Sequence, residues 1–253
     1  MTSTPEPEPA DALAGEHIVF APEEREDTVL RVIASAKTRL ILSLFRCDDF
    51  KVLDALADAL QRQVQVEILL TGRAKGWKKR LDRLWALLES MGARLYRYAD
   101  PVVKYHAKYI VADDGPALVA SLNFTQKCFR GTCDFLLTTH DPGVVSGLRR
   151  LFHADCGVTG GGLPKRLSTR LIIGPEHARQ QFTRLIQQAR RSIRIVDPKL
   201  TDSAMLALLK AKRAAGVRVT VLGRGSLAGL VSHGKMILND EETAVIGSLP
   251  CRP

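Results

Sequence analysis

The 253-residue sequence contains no run of about 18 apolar residues, so no stretch of it reads as a membrane-crossing helix. Its five cysteines (Cys47, Cys128, Cys133, Cys156 and Cys251) form no C-x-x-C pair, and no histidine stands at zinc-finger spacing from them. Structural zinc and a disulfide framework are therefore not expected; the thiols read as reduced packing residues, with no metal and no cofactor. Gly160, Gly161 and Gly162 precede Leu-Pro rather than a helix opening on Lys-Ser/Thr, and no Rossmann glycine fingerprint occurs, which excludes phosphate-loop and dinucleotide-binding folds. The opening MTSTPEPEPADALAGE has neither the basic nor the apolar region of a secretory signal, so a cytoplasmic location is expected.

What the chain does have is positive charge. Lys and Arg number 37 against 27 Asp and Glu, a net +10, and residues 1–16 hold four of the acids and no base. The remaining body carries 37 basic against 23 acidic residues, which favours an anionic partner: nucleic acid, an acidic membrane surface or a phosphorylated molecule. Residues 1–15, with Pro5, Pro7 and Pro9 between acids, have too little apolar surface to order themselves and read as a disordered acidic tail.

From Glu16 onward short β-branched runs alternate with amphipathic stretches, the pattern of an α/β fold with mixed sheets. The order occurs twice. HIVFAPEEREDTVLRVIASAKTRLILSL (17–44) aligns with RLIIGPEHARQQFTRLIQQARRSIRIVD (170–197), each read as strand, Pro-Glu helix opening, helix and strand, and VQVEILLTGR (64–73) aligns with VRVTVLGRG (217–225). Two lobes are expected, 16–158 and 168–253, joined by a Gly-rich linker at 159–167. The second lacks a counterpart of residues 75–98, which read as a helix with Trp77, Leu81, Leu84, Trp85 and Leu88 on one face, followed by a strand. Eight Lys and Arg lie in 73–97, a stretch suited to a nucleic-acid backbone or to anionic lipid, although an ordinary helix with buried tryptophans and solvated bases would look the same.

The chemistry sits in a duplicated motif. HAKYIVAD supplies His106, Lys108 and Asp113; HGKMILND supplies His233, Lys235 and Asp240 at identical spacing. In an extended strand residues i and i+2 share a side, so each histidine and lysine would point together. The following run ALVASLNFT returns Ser121 and Asn123. An imidazole, an ammonium, a hydroxyl and a carboxamide together suit a phosphoryl centre, and two such hairpins facing each other would let one histidine attack phosphorus while the other protonates the leaving oxygen, without a metal.

HAKYIVAD with ASLNFT, and HGKMILND with GSLP, resemble the paired HKD motifs of the phospholipase D superfamily. The resemblance implies a phospholipase D-like α/β fold of two pseudo-symmetric lobes and a phosphodiesterase that hydrolyses or transfers a phosphatidyl-like group through a phosphohistidine. A nuclease of the same chemistry, or an impaired phosphate-binding member, are the alternatives. It implies His106 as nucleophile and His233 as acid, Lys108 and Lys235 on the phosphate oxygens, Asp113 and Asp240 as members of the catalytic set, and Ser121, Asn123 and Ser248 lining the phosphate pocket. Asp134, 28 residues after His106, occupies the position of an acid that orients a histidine. Ala120 replaces a glycine usual in the family, Pro250 replaces an asparagine, and the sequence stops at Pro253, so the second copy is expected to have no counterpart of Asp134 and to leave a sheet edge near Leu249 that a second copy of the chain could cover.

Overall fold

Residue alternation along two central strands explains how one sheet carries two apolar faces. The structure, a computed structural model, describes residues 15–98, 100, 105–158, 163–174 and 178–249. The acidic segment up to residue 14, most of the Gly-rich stretch, the Pro175-Glu176 helix opening, Pro250 and Cys251 lie outside those residues.

In the first lobe β1 (His17–Val19), α1 (Pro22–Ser35), β2 (Arg39–Leu44), α2 (Phe50–Gln61), β3 (Gln65–Leu70), α3 (Lys78–Ser90), β4 (Arg94–Arg97), β5 (Tyr109–Ala112), β6 (Ala117–Ala120), α4 (Gln126–Gly131), β7 (Thr132–Cys133), β8 (Leu136–Thr139) and α5 (Pro142–Asp155) follow one another. Seven strands form one mixed sheet in the order β1-β8-β6-β5-β2-β3-β4. Leu40, Leu42 and Leu44 of β2, with Ile110 and Ala112 of β5, face a core shared with α1 and α2. Ile41, Tyr109 and Val111 face the opposite core under α5. Asp49 and Asp141 cap α2 and α5 by accepting from the Val52 and Val144 amides, at 3.2 and 2.8 Å.

The second lobe comprises α6 (Ala178–Gln188), β9 (Ser192–Val196), α7 (Ser203–Ala214), β10 (Arg218–Leu222), β11 (Ser226–Leu227), β12 (Leu230–Ser232), β13 (Lys235–Asn239) and β14 (Thr243–Gly247). Its sheet runs β10-β9-β13-β14, with α6 and α7 packed on one face through Phe182, Ile186, Met205 and Leu209. The other face meets the first lobe: Val196, Met236 and Ile246 pack with Cys133 and Phe135.

Residues 170–174, expected as a strand, are not one. β1 holds its place through antiparallel pairing with β8, and among the described residues the second lobe has no strand equivalent to β8. A strand without a ladder partner leaves its backbone groups unsatisfied. Leu171 instead packs against the α5 core of the first lobe.

Candidate active site

The lobes are joined by a small third sheet. β12 pairs in parallel with β7, matching Val231 with Thr132 and Ser232 with Cys133, and the Gly234 amide continues the ladder by donating to the Cys133 carbonyl at 2.8 Å. This register carries His233 onto Asp134. A Cβ at residue 234 would stand 2.8 Å from that carbonyl, 2.9 Å from Ser121 Oγ and 3.0 Å from Asp134 Cα, so only glycine fits between the histidine and lysine of the second motif.

His233 Nδ1 lies 2.8 Å from Asp134 Oδ2 and 3.1 Å from Oδ1. The acid of the first copy is thus paired with the histidine of the other lobe. The carboxylate is fully buried and fixed from beneath, since Ser121 Oγ donates to Oδ1 and Thr132 Oγ1 to Oδ2, both at 2.6 Å. Ser121 Oγ accepts from the Phe135 amide at 2.9 Å. Its one hydroxyl hydrogen is committed to Asp134, so Ser121 is a support for the carboxylate rather than a donor to phosphate.

Both lysines are buried, Lys108 at 3% and Lys235 at 8% exposure, and each donates to the carbonyl of its own motif's histidine, at 2.6 and 2.8 Å. Lys108 Nζ lies 3.0 Å from His106 Nδ1, and the His106 ring packs on Phe45 with centroids 4.5 Å apart. Burial, reinforced by the Lys235 charge, pushes the Lys108 ammonium well below its ordinary range, while Asp134 acts in the opposite sense. His106, Lys108, Lys235, Asp134 and His233 thus converge. Asn123 is buried with Nδ2 4.0 Å from Cys128 Sγ, and its Oδ1 has no hydrogen-bond partner.

Asp113 and Asp240 do not join this group. Each stands at the far end of its strand, about 20 Å of extended chain from the histidine. Asp113 accepts from the amides of Lys37, Thr38 and Arg39 at 2.7, 2.9 and 2.8 Å, and Asp240 accepts from those of Arg190, Arg191 and Ser192 at 2.8, 2.6 and 2.8 Å. Both clasp the turn leading into a central strand. For Asp113 burial raises the carboxyl, but these bonds outweigh it and bring it down to about 2; for Asp240 the Ser192, Arg190 and Arg191 amides bring it to about 2. Their spacing in the motif reflects the length of the strand, not a place in the chemistry.

Beside the site lies an inter-lobe cavity of about 1450 Å³ that reaches His106, Lys108, Lys235 and Ser248. Its wall is mainly apolar, with Leu137, Leu148, Phe182, Ile195 and Val245 among the lining side chains. On the other side of His106, Arg46 stacks over Phe45 and over Trp77, both at 5.2 Å, and Arg80 covers Trp77 at 5.1 Å. The tryptophans of the basic stretch are half-buried, each packed against a hydrophobic core and also covered by guanidinium groups.

The family model described as the PLD-like domain of cardiolipin synthase matches residues 29–156, just over half of the chain. The chain belongs to the phospholipase D superfamily. No curated protein matches it. Among solved structures it is similar to polyphosphate kinase from Porphyromonas gingivalis, with 19% identity and a TM-score of 0.73 over 94% of this chain and 46% of that one. Similar folds are also found in phosphatidylserine synthase from Haemophilus influenzae Rd KW20 (11% identity, TM-score 0.60, 83% of this chain and 61% of that one) and in Nuc, a phospholipase D family member from Salmonella typhimurium (20%, 0.48, 53% and 89%). The chain spans about half the length of the first. The first two likenesses, over 94% and 83% of this chain, extend the fold over both lobes.

Several residues that matter here carry no motif signal. Thr132 and Phe45 act through contacts made by folding, as does Arg25, whose buried guanidinium donates to the Thr132 carbonyl at 2.7 Å beside Asp134. The T-x-D spacing of Thr132 and Asp134 is the one local hint.

Proposed function

We propose that the chain is a metal-independent phosphodiesterase of the phospholipase D type, acting on a phosphatidyl-like diester through a phosphohistidine. The Asp134–His233 hydrogen bond carries the reading, because it brings the acid of one hairpin to the histidine of the other beside two buried lysines. Asp134 fixes the His233 ring and stabilises its imidazolium, which suits it to proton donation. His106 attacks phosphorus; the bond from phosphorus to the leaving oxygen breaks, and His233 gives that oxygen its proton. Water or an alcohol then attacks phosphorus, His233 takes its proton, and the phosphorus–nitrogen bond to His106 breaks. Lys108 and Lys235 offset charge on the non-bridging oxygens, with Asn123 and Ser248 near the same place.

The apolar inter-lobe cavity supports a substrate with an acyl-bearing group, bound peripherally at an anionic membrane surface. A second reading, a nuclease, is supported by the Arg46–Trp77–Arg80 stack, since bases stack on aromatic faces and guanidinium planes beside basic residues. Incubating the protein in EDTA with bis(p-nitrophenyl) phosphate, phosphatidylcholine vesicles and single-stranded DNA, beside His106→Ala, separates these. Cleavage of the lipid abolished by His106→Ala is expected. Activity that survives that substitution would end the mechanism, and cleavage of DNA alone would move the substrate to the second reading.

A further inference from the structure

Beneath the reacting groups a thiol that the phosphoryl chemistry does not use, Cys128, stands beside the Asp134–His233 pair that it does use. Cys128, Asp134 and His233 each present one donor atom, and these atoms all lie within 4.8 Å of one another. A thiol, a carboxylate and an imidazole make a donor set of mixed softness, matched to a borderline cation such as Zn²⁺. With bonds of about 2.0–2.3 Å, tetrahedral coordination needs donor separations of roughly 3.3–3.6 Å, so the Asp134–His233 pair, 2.8 Å apart, would open slightly while donor atoms up to 4.8 Å apart draw together.

We propose that Cys128, Asp134 and His233 bind a thiophilic divalent cation, Zn²⁺ in the first instance, and that loading switches the site off. The binding stands by itself; its inhibitory effect rests on the phosphodiesterase reading. Two of the three ligands are already supported as metal ligands require. Ser121 and Thr132 hold the carboxylate, and Asn123 Nδ2 points at the sulfur from 4.0 Å. The Asn123 Oδ1, buried and without a hydrogen-bond partner, is available to a water on the open fourth position.

Charge does not oppose it. The neighbouring cations are Lys108, Lys235 and Arg25. The Cys128 thiolate and the Asp134 carboxylate supply two negative charges to the dication, and any proton held by the thiol or the imidazole passes to buffer on binding. Once loaded, His233 is a metal-bound neutral imidazole whose remaining ring proton is far less acidic than that of an imidazolium, and Asp134 is a metal ligand rather than its orienting partner.

The test is direct binding to the full chain, independent of turnover. Zn²⁺ is titrated against a chromophoric chelator, and Co²⁺ is used as a spectroscopic substitute. One ion per chain is expected, with a thiolate-to-cobalt charge-transfer band. Cys128→Ser should remove the band and weaken Zn²⁺ by at least about tenfold, since loss of a direct ligand costs no less than loss of an outer-shell partner. In assays Zn²⁺ should inhibit the wild type, and Cys128→Ser should lift that inhibition while keeping its activity in EDTA. Absence of the band in the wild type, which needs no variant to fold, overturns the proposal. So does Zn²⁺ affinity unchanged by Cys128→Ser. A chain that binds Zn²⁺ with the band yet cleaves no diester supports the site and counts against the functional reading instead.

Discussion

The two lobes use one motif differently. The first has a seven-stranded sheet with apolar cores on both faces and supplies the carboxylate; the second has a four-stranded sheet with helices on one face and supplies the imidazole which that carboxylate holds. His-x-Lys opens each hairpin, and each lysine is tied to its own histidine's carbonyl, yet residue 107 is Ala and residue 234 must be Gly because only the second passes against Cys133 and Asp134. Duplication supplied matching parts, and docking made them unequal.

Unequal roles give unequal losses. The largest is expected at the seam: Asp134→Asn should reduce kcat by about 10³–10⁴-fold through His233, with KM little changed. A loss confined to KM would break the cross-lobe assignment. Next come the lysines. Lys108→Met should cost roughly 10²–10³-fold in kcat/KM. Because burial and Lys235 hold the Lys108 ammonium low, an anion entering the site should draw in a proton, so inhibitory phosphate should bind less tightly as pH rises. Calorimetry in buffers of different ionisation enthalpy reads that uptake; none would show that Lys108 is already charged.

A smaller effect distinguishes the two middle residues. Gly234→Ala should destabilise the protein by about 1–3 kcal/mol and loosen the Asp134–His233 pair, because a backbone carbonyl cannot yield as a side chain can. Ala107→Gly should cost under about 1 kcal/mol. Equal costs in denaturant titrations would remove the asymmetry. Smallest in activity are Asp113→Asn and Asp240→Asn, which should lower the melting temperature and leave kcat in place. With folded carboxyls at about 2 against ordinary values of 3.8, their stabilisation is complete above about pH 4 and is lost as pH falls towards 2. Acid unfolding shifted upward in both variants checks this; a collapse of kcat at neutral pH would return the aspartates to the chemistry.

The duplication and both His-x-Lys pairs are legible in the sequence because they are local patterns set by strand period, and the α/β alternation follows from the same spacing. Asp134 is legible as an important acid, but not its partner, since 99 residues separate it from His233 and the pairing depends on which strands meet at the seam. Asp113 and Asp240 mislead for a related reason: a fixed distance from the histidine is kept by the strand that lies between. Cys128 shows no metal spacing because its companions come from another strand and another lobe. The β14 edge is visible in both sequence and sheet order, and light scattering against concentration tests whether a second copy covers it.

The Asp134–His233 hydrogen bond also sets when the site can be assembled. Its halves emerge far apart during synthesis, and a contact of such long sequence separation closes only after both ends have found their folds. A chain that has completed its first lobe holds Asp134, Lys108 and His106, and on the proposed mechanism it waits for His233 before it can act.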